Sequence, residues 1–277
     1  MKTNTKKNSG PVKWLLIGIS AFFLIIMLVL PLVYVLVTAF REGTAAFWTA
    51  VSDKYAIKAI LLTIEVTMLT VIFNTIFGVF AAWLITRFQF RGKKIISTLI
   101  DLPLTVSPII AGLIYVLTFG RQSALYPYLK EAGIQIIFAV PGIVLATIFV
   151  TFPFVSREII PVLTAKGTDE EEAAALMGAG GFRIFREITF PHIKWSLLYG
   201  VVLCSARAMG EFGAVSVLSG HLRGKTNTMP LYIELLYQGY DFTGAFAVSA
   251  ILVLMAVIIL ILRSVLERKG KKETAEA

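Results

Sequence analysis

Long apolar runs follow one another along almost the whole chain, each separated from the next by a polar stretch. A run of about 20 apolar residues is enough to cross the hydrocarbon core of a bilayer as a helix. The runs assign six spans, at residues 14–40, 59–86, 95–119, 136–156, 196–219 and 244–262. The pattern therefore predicts an all-α integral membrane protein with six transmembrane helices.

The same pattern divides the chain into parts. A polar, basic tail covers residues 1–13, and the first span with its following loop covers 14–58. A core of five spans covers 59–263, and a second basic tail covers 264–277. The core contains one polar loop, 157–194, which is too long to be a simple connection. We expect this loop to have a structure and a role of its own.

Charge and composition place the chain in a membrane. With 57% hydrophobic and 16% charged residues, the chain is too apolar for a water-soluble protein. Its net charge of +9 would suit a nucleic-acid-binding protein, but the position of the charges argues against that. Of 26 Lys and Arg residues, 18 fall on the side of both termini, 7 on the other side and one inside a span. This positive-inside asymmetry predicts a multi-pass protein of the bilayer with cytoplasmic termini and no nucleic-acid partner.

The polar loop contains a helix-forming stretch. Thr168 is suited to cap a helix, with Glu171 three residues later completing a capping box. Acidic residues crowd the first turn, where the helix dipole favours them, and a run of alanines continues the helix. Gly178 then breaks it, and a second short helical piece is predicted at residues 182–188. We therefore predict a bent pair of short helices at the membrane surface, with small residues that let another protein approach closely.

The spacing within this stretch resembles the cytoplasmic coupling loop of bacterial ABC importer permeases. The family pattern has Glu-Ala-Ala, then Gly, then Ile and Pro. The residues that stand at the family spacing are Glu172, Ala173, Ala174, Gly178, Ile188 and Pro191. Phe190 occupies a position where Leu is commoner. The alternative interpretation is an ordinary amphipathic loop without a partner.

The resemblance implies a type I ABC importer permease fold and several partners. Such a permease pairs with a homologous T-type permease subunit, two cytoplasmic ABC ATPase subunits and an external binding protein. ATP and Mg²⁺ would bind the ATPase, so this chain would hold no cofactor and would not be an enzyme. Glu172 would contact the ATPase and Gly178 would allow the bend of the coupling loop.

Two ionisable residues lie inside the fifth predicted span. Arg207 and Glu211 are four residues apart, so they share a helix face and can pair. One interpretation is a self-neutralising pair that helps insertion or helix packing. The other is that this face borders the pathway, where Arg207 attracts a passing anion and Glu211 prevents it from binding too tightly. Charged residues within a membrane are functional candidates by default.

The first half of the third span is unusually polar, and its candidate pathway residues are Asp101, Thr105 and Ser107. Asp101 either pairs with a cation on a neighbouring helix or lies at the membrane interface. Pro103 and Pro108 free backbone groups that a water-filled cavity would satisfy. A distortion of the helix with no role in transport is the alternative.

One stretch imitates a phosphate-binding loop. In residues 220–226 the first gap is three residues, where four are required, and no strand precedes it. The predicted topology also places this stretch outside, away from ATP. We therefore predict no nucleotide site in this chain.

Several runs indicate the transported substrate. Residues 101–108 and 206–214 are similar to runs in permeases for tetrahedral oxyanions. Residues 219–231 look like the W-type permease subunit of sulfate/thiosulfate importers. The resemblance implies import of sulfate or thiosulfate, with an external sulfate-binding protein. A molybdate/tungstate ABC permease, a secondary anion transporter and a membrane scaffold without transport are the alternatives.

Overall fold

The computed structural model of the chain describes residues 11–276. Within this range every regular element is a helix, which confirms the predicted all-α class. The predicted tail at residues 1–13 lies outside the described residues except for its last three.

The helices lie along the described residues in the following order: α1 (Pro11–Leu24), a π-helical turn (Ile25–Val29), α2 (Leu30–Ala39), α3 (Thr44–Val51), α4 (Lys54–Arg87), α5 (Lys93–Thr105), α6 (Pro108–Phe119), α7 (Tyr126–Glu131), α8 (Val140–Thr151), α9 (Pro153–Lys166), α10 (Asp169–Leu176), α11 (Gly181–Ile184), a second π-helical turn (Phe185–Thr189), α12 (Phe190–Met209), α13 (Gly213–Ser219), α14 (Met229–Gln238) and α15 (Phe242–Glu276).

The candidate membrane spans are of two kinds. Four are long, apolar helices: Val12–Ala39, Lys54–Arg87, Val140–Lys166 and Phe242–Glu267. Two more exist only if each of two bent helix pairs counts as one span, so the described residues contain between four and six. The bend between α5 and α6 is 110°, and the bend between α12 and α13 is 52°.

The predicted third and fifth spans are therefore broken helices, which the apolar pattern alone did not reveal. At the first break, Ser107 precedes Pro108 and is extended, with φ −58° and ψ 133°. A residue before proline disfavours the α-helical region, which explains the break. At the second break, Gly210 and Phe212 both leave helical geometry.

Several helices extend beyond the predicted spans. The helix of the fourth span continues past residue 156, because α9 ends at Lys166. The helix of the sixth predicted span, α15, runs past residue 262 to Glu276. Each of the three connections on the side away from the termini contains a helix: α3 lies in residues 41–58, α7 in residues 120–135 and α14 in residues 220–243. α14 is packed into the protein, with Met229 and Leu231 fully buried.

The tightest packing joins α4, α9 and α12. Val155 of α9 is fully buried between two glycines, Gly78 of α4 and Gly200 of α12. A Cβ at Gly78 would lie 2.8 Å from the Cβ of Val155, and one at Gly200 would lie 3.0 Å from its Cα. The buried residues around this contact are Ala82, Val155, Ile159, Leu163, Ile193 and Cys204. These three helices thus form one closely packed unit that ends next to the coupling loop.

Candidate coupling and translocation sites

Helix α10 ends in a Schellman motif at Gly178. The N–H of Ala179 donates to the carbonyl of Ala174 at 3.0 Å, and the N–H of Gly178 donates to that of Ala175 at 3.0 Å. This motif needs a left-handed residue after the helix, and Gly178 has φ +87°. The predicted break of the helix therefore lies at Gly178 and has a definite geometry.

The predicted capping box is absent. The Thr168 side chain makes no capping bond to the backbone; its hydroxyl instead donates to Oε1 of Glu172 at 2.6 Å. Glu171, the expected second member of the box, points away towards α4. A buried cation at the end of α4 attracts this carboxylate more strongly than the exposed start of α10 does.

That cation is Arg87, the last residue of α4. Its Nε lies 2.8 Å from Oε2 of Glu171, and its Nη2 donates to Oε1 at 3.0 Å. Its Nη1 donates to the carbonyl of Leu163 in α9 at 3.0 Å. The Thr189 hydroxyl donates to Oε1 of Glu171 at 2.8 Å. The Arg87 and Glu171 side chains are only 8% and 14% exposed, so this network of four residues is largely shielded from water.

The family-spaced residues of the coupling loop have different environments. Ala174 is buried against the rest of the loop, and Ile188 is half-buried. The remaining four are exposed: Glu172, Ala173, Gly178 and Pro191. Sequence reasoning missed three apolar side chains that protrude beside them, Leu176, Met177 and Phe182, which are 90%, 83% and 79% exposed. Such an apolar tip is typical of a surface that another protein covers.

The predicted second short helix is not a separate piece. From Gly181 the chain continues through the π-helical turn into α12 without a break as far as Met209. The helix does not end at residue 188, and Pro191 lies in the first turn of α12, directly after the π-helical turn. Proline has no backbone N–H to donate, and a π-helical turn changes which backbone groups pair. The turn before Pro191 therefore lets the helix continue without a hydrogen bond from this residue. The coupling loop is thus joined rigidly to the fifth membrane helix.

Glu170 and His192 link α10 to the start of α12. His192 Nε2 lies 2.8 Å from Oε2 of Glu170. The hydrogen bond from His192, and then its electrostatic attraction, lower the pKa of the Glu170 carboxyl. This is a second, more exposed connection between the same two helices.

The two broken spans meet at their short second halves, α6 and α13. A Cβ at Gly213 would lie 3.0 Å from Cβ of Pro108, at the start of α6. One turn further along, a Cβ at Gly112 would lie 2.6 Å from the carbonyl oxygen of Ala214. Only glycine permits this approach of the two backbones, so the two breaks form one structural feature.

Arg207 and Glu211 pair across the break between α12 and α13. Arg207 Nη1 lies 2.7 Å from Oε2 of Glu211, while Oε1 of Glu211 accepts the N–H of Ala214 at 2.9 Å. The Glu211 side chain is 1% exposed and the Arg207 side chain 35% exposed. Glu211 therefore holds the break together from inside, and Arg207 retains an accessible face.

Asp101 pairs with a cation on another helix, one of the two roles that the sequence left open. Its Oδ1 accepts Arg157 Nε at 2.9 Å, and both side chains are about half exposed in a cleft between α5 and α9. The other two candidates of the third span, Thr105 and Ser107, are exposed at the break itself. The Thr105 hydroxyl donates to the carbonyl of Leu102 at 2.9 Å.

Four side chains at the N-terminal end of α4, those of Asp53, Tyr55, Arg223 and Tyr232, form a cluster that holds the segment 220–228 against this helix. The Arg223 guanidinium lies 4.4 Å from the ring centre of Tyr55, and the Tyr232 hydroxyl donates to Oδ1 of Asp53 at 3.0 Å. Burial by itself would raise the pKa of Asp53, but two backbone N–H groups, the Tyr232 hydroxyl and the charge of Arg223 bring it below its ordinary value. The imitation phosphate loop is closed internally, because the Thr226 hydroxyl donates to the carbonyl of Ser219 at 2.7 Å.

The described residues contain no group of three or more His, Cys, Asp or Glu side chains that could hold a metal ion. Buried polar groups do occur where α4 meets α8 and α12. Nδ2 of Asn74 donates to the Thr151 hydroxyl at 2.8 Å and contacts Sγ of Cys204 at 3.6 Å. These contacts join α4, α8 and α12 inside the membrane region. The sequence alone did not predict them.

Comparisons with known proteins agree with this architecture. Residues 74–272 match the family model described as "Binding-protein-dependent transport system inner membrane component". The chain is 48% identical over 265 residues to "Sulfate transport system permease protein CysW" of Escherichia coli (strain K12), covering 96% of this chain and 91% of that protein. It is 45% identical over 258 residues to the protein of the same name from Synechocystis sp., covering 93% and 94%.

The fold is that of a solved importer. A chain from the crystal structure of a bacterial alginate ABC transporter, in complex with an alginate pentasaccharide-bound periplasmic protein, superposes with a TM-score of 0.77. The match covers 94% of this chain and 96% of that chain at 20% sequence identity. The predicted type I ABC importer permease fold is thereby confirmed.

Proposed function

We propose that this chain, which belongs to the family of binding-protein-dependent transport system inner membrane components, is the W-type permease subunit of an ATP-driven importer for sulfate and thiosulfate. The substrate assignment rests on relatives 48% and 45% identical that are named as sulfate transport permeases. Their similarity extends over more than nine-tenths of this chain.

The two breaks provide the features that an anion pathway needs. Irregular backbone at membrane depth is tolerated only where protein buries it or where it lines a water-filled cavity. Thr105 and Ser107 offer hydroxyl groups at one break, and Arg207 offers a partly accessible guanidinium beside the other. We assign Arg207 to attract the passing anion and Glu211 to hold Arg207 in position.

ATP hydrolysis belongs to other subunits in this proposal. The coupling loop would dock in a groove of a cytoplasmic ATPase, with Leu176, Met177 and Phe182 entering the groove and Glu172 contacting its rim. Two copies of the ATPase, with ATP and Mg²⁺ bound to them, a homologous T-type permease subunit and an external sulfate-binding protein would complete the importer. The charge asymmetry of the sequence favours an inner-membrane location with both termini in the cytoplasm.

The observation that carries the proposal is one unbroken helix, Gly181–Met209, which runs from the coupling loop to the Arg207–Glu211 break. A rigid element of this kind lets docking at one end move the pathway at the other, as in a rigid-body alternating-access change.

Labelled sulfate uptake in cells that carry this subunit and its neighbouring transport partners tests the substrate. Excess thiosulfate, molybdate or phosphate is added as a competitor. We expect thiosulfate to suppress the uptake, and molybdate and phosphate to leave it unchanged. Suppression by molybdate alone would retain an ABC permease and overturn the sulfate assignment.

A further inference from the structure

The Arg87–Glu171 pair joins the coupling loop to all three helices of the tightly packed unit. Arg87 ends α4, its guanidinium also holds the Leu163 carbonyl of α9, and Glu171 also holds Thr189 at the entry to α12. Thr189 is itself only 1% exposed. One carboxylate of α10 is therefore tied to α4 and to the start of α12, and through Arg87 to α9.

We propose that Arg87 and Glu171 are the positioning pair that transmits movement of α10 to the membrane helices. The inference rests on the proposed function, because it assumes that an ATPase moves the coupling loop. It concerns different residues from those that would touch the ATPase. Glu172 and the apolar tip face outwards, whereas Glu171 faces the protein interior.

The geometry suits transmission better than simple surface pairing. An exposed ion pair is flexible and contributes little, and Arg183–Glu187, 71% and 58% exposed, is such a pair on the same loop. Arg87 instead donates two hydrogen bonds from one planar guanidinium, from Nη2 to Glu171 and from Nη1 to the Leu163 carbonyl, which fixes direction as well as distance. Displacing α10 must then displace the ends of α4 and α9 or break buried bonds.

Aromatic contacts reinforce the same joint. Trp83, one turn before Arg87, packs edge to face against Phe185 in the π-helical turn, with ring centres 6.2 Å apart. From this turn, the continuous helix to Met209 carries the movement onward; Gly181–Met209 spans about 43 Å at 1.5 Å per residue. The Arg87–Glu171 pair therefore lies at the N-terminal end of this continuous helix, and the Arg207–Glu211 break lies at its C-terminal end.

The test is the amount of anion imported per ATP hydrolysed, measured on the complete complex in proteoliposomes. The variants are Arg87→Met, Glu171→Gln, Arg87→Lys and Thr189→Val. Arg91→Met is the matched control, since this exposed arginine lies four residues beyond Arg87. Labelled sulfate and labelled molybdate are supplied in parallel, and recovery of the assembled complex is measured for each variant.

We expect Arg87→Met and Glu171→Gln to hydrolyse ATP while importing at least about tenfold less anion per ATP, a change of about 1.4 kcal/mol in the barrier to transport relative to that of hydrolysis. Arg87→Lys, which keeps the charge but loses the fork, should fall between these variants and the wild type. Arg91→Met should match the wild type.

Assembled variants with an unchanged import-to-ATP ratio would overturn the inference, because a purely structural pair lowers the yield of complex and leaves that ratio constant. If Arg87→Met and Glu171→Gln do not assemble, Arg87→Lys and Thr189→Val decide the matter by the same ratio. A wild-type complex that imports molybdate and no sulfate would refute the proposed substrate, while the ratio is still measured with molybdate.

Discussion

Gly112 and Ala214 bring two membrane-embedded half-helices into backbone contact: a Cβ at Gly112 would lie 2.6 Å from the carbonyl oxygen of Ala214. The contact joins α6 to α13, the second halves of the two broken spans. The two breaks are therefore unable to move independently near this point, and any opening of the pathway carries both half-helices together.

Gly112→Ala should loosen this contact. The added methyl group meets backbone, which cannot rotate away, so we expect a loss of about 1–3 kcal/mol of stability from overpacking. Thermal unfolding of the purified protein measures the effect. Gly18→Ala is the control, because a Cβ there has nothing within 4 Å, and it should leave the melting temperature unchanged or slightly higher.

Arg207 and Glu211 are best separated by a double substitution. Arg207→Leu alone would leave a carboxylate that is 1% exposed without its cation, at a cost of about 3–5 kcal/mol, so lost uptake would be ambiguous. Arg207→Met with Glu211→Gln removes both charges and keeps an oxygen for the N–H of Ala214. We expect an assembled complex whose sulfate uptake falls at least about tenfold, equivalent to about 1.4 kcal/mol. Undiminished uptake would reduce the pair to a structural role.

Substitution by alanine should destabilise the end of α10 at Gly178 but not at Gly180. Gly178→Ala places a side chain at φ +87°, which costs about 1 kcal/mol or more and weakens the end of α10. Gly180 has φ −71° with open space around it, so Gly180→Ala should be tolerated. Hydrogen exchange of residues 169–181 measures both variants. Equal protection in the two would contradict the Schellman geometry.

Lowering the pH should weaken the contacts that ionised Asp53 makes and so reduce the stability of the protein. The pKa of Asp53 is below the ordinary value in the folded protein, so its contribution to stability is complete above the unfolded value of about 3.9 and is lost as the pH falls through the lower folded value. The melting temperature should therefore drop as the pH is lowered towards about 3. Asp53→Asn, which cannot titrate, should show a smaller drop. A drop equal to that of the wild type would assign the acid sensitivity to other groups.

Glu172→Lys tests the proposed outer contact of the coupling loop. Glu172 is exposed, and its hydrogen-bond partner among residues 11–276 is Thr168 in the same turn, so insertion and folding should survive the change. Reversing the charge at a docking rim should nevertheless uncouple hydrolysis from uptake. The two rates are measured on the same vesicles, and wild-type uptake would refute the contact.

The sequence predicted the helical class, the apolar stretches of the membrane segments and the coupling loop, because apolar run length and the positions of Gly178 and the alanines determine these locally. The apolar pattern did not locate the bends at Ser107 and Gly210, since an apolar run of span length looks the same whether the helix is straight or broken. Pro103 and Pro108 indicated a distortion only in the third span. The Ser107–Pro108 dipeptide carried the signal for the first break.

Interactions between distant residues were also beyond local reasoning. Glu171 satisfied the spacing of a capping box, yet it pairs with Arg87, 84 residues away in the chain. The Asp101–Arg157 contact spans 56 residues and could be anticipated only as one of two alternatives. The sequence assigned Glu171 to a helix start and left two roles open for Asp101, and tertiary packing selected the partner of each.

Sulfate accumulation in proteoliposomes tests most directly whether this chain forms an ATP-driven import pathway. The complex is reconstituted with the sulfate-binding protein outside and ATP inside, and each component is omitted in turn. We predict accumulation only when the binding protein, ATP and the ATPase are all present. Accumulation without ATP, driven by an ion gradient, would contradict the proposal and identify a secondary transporter instead.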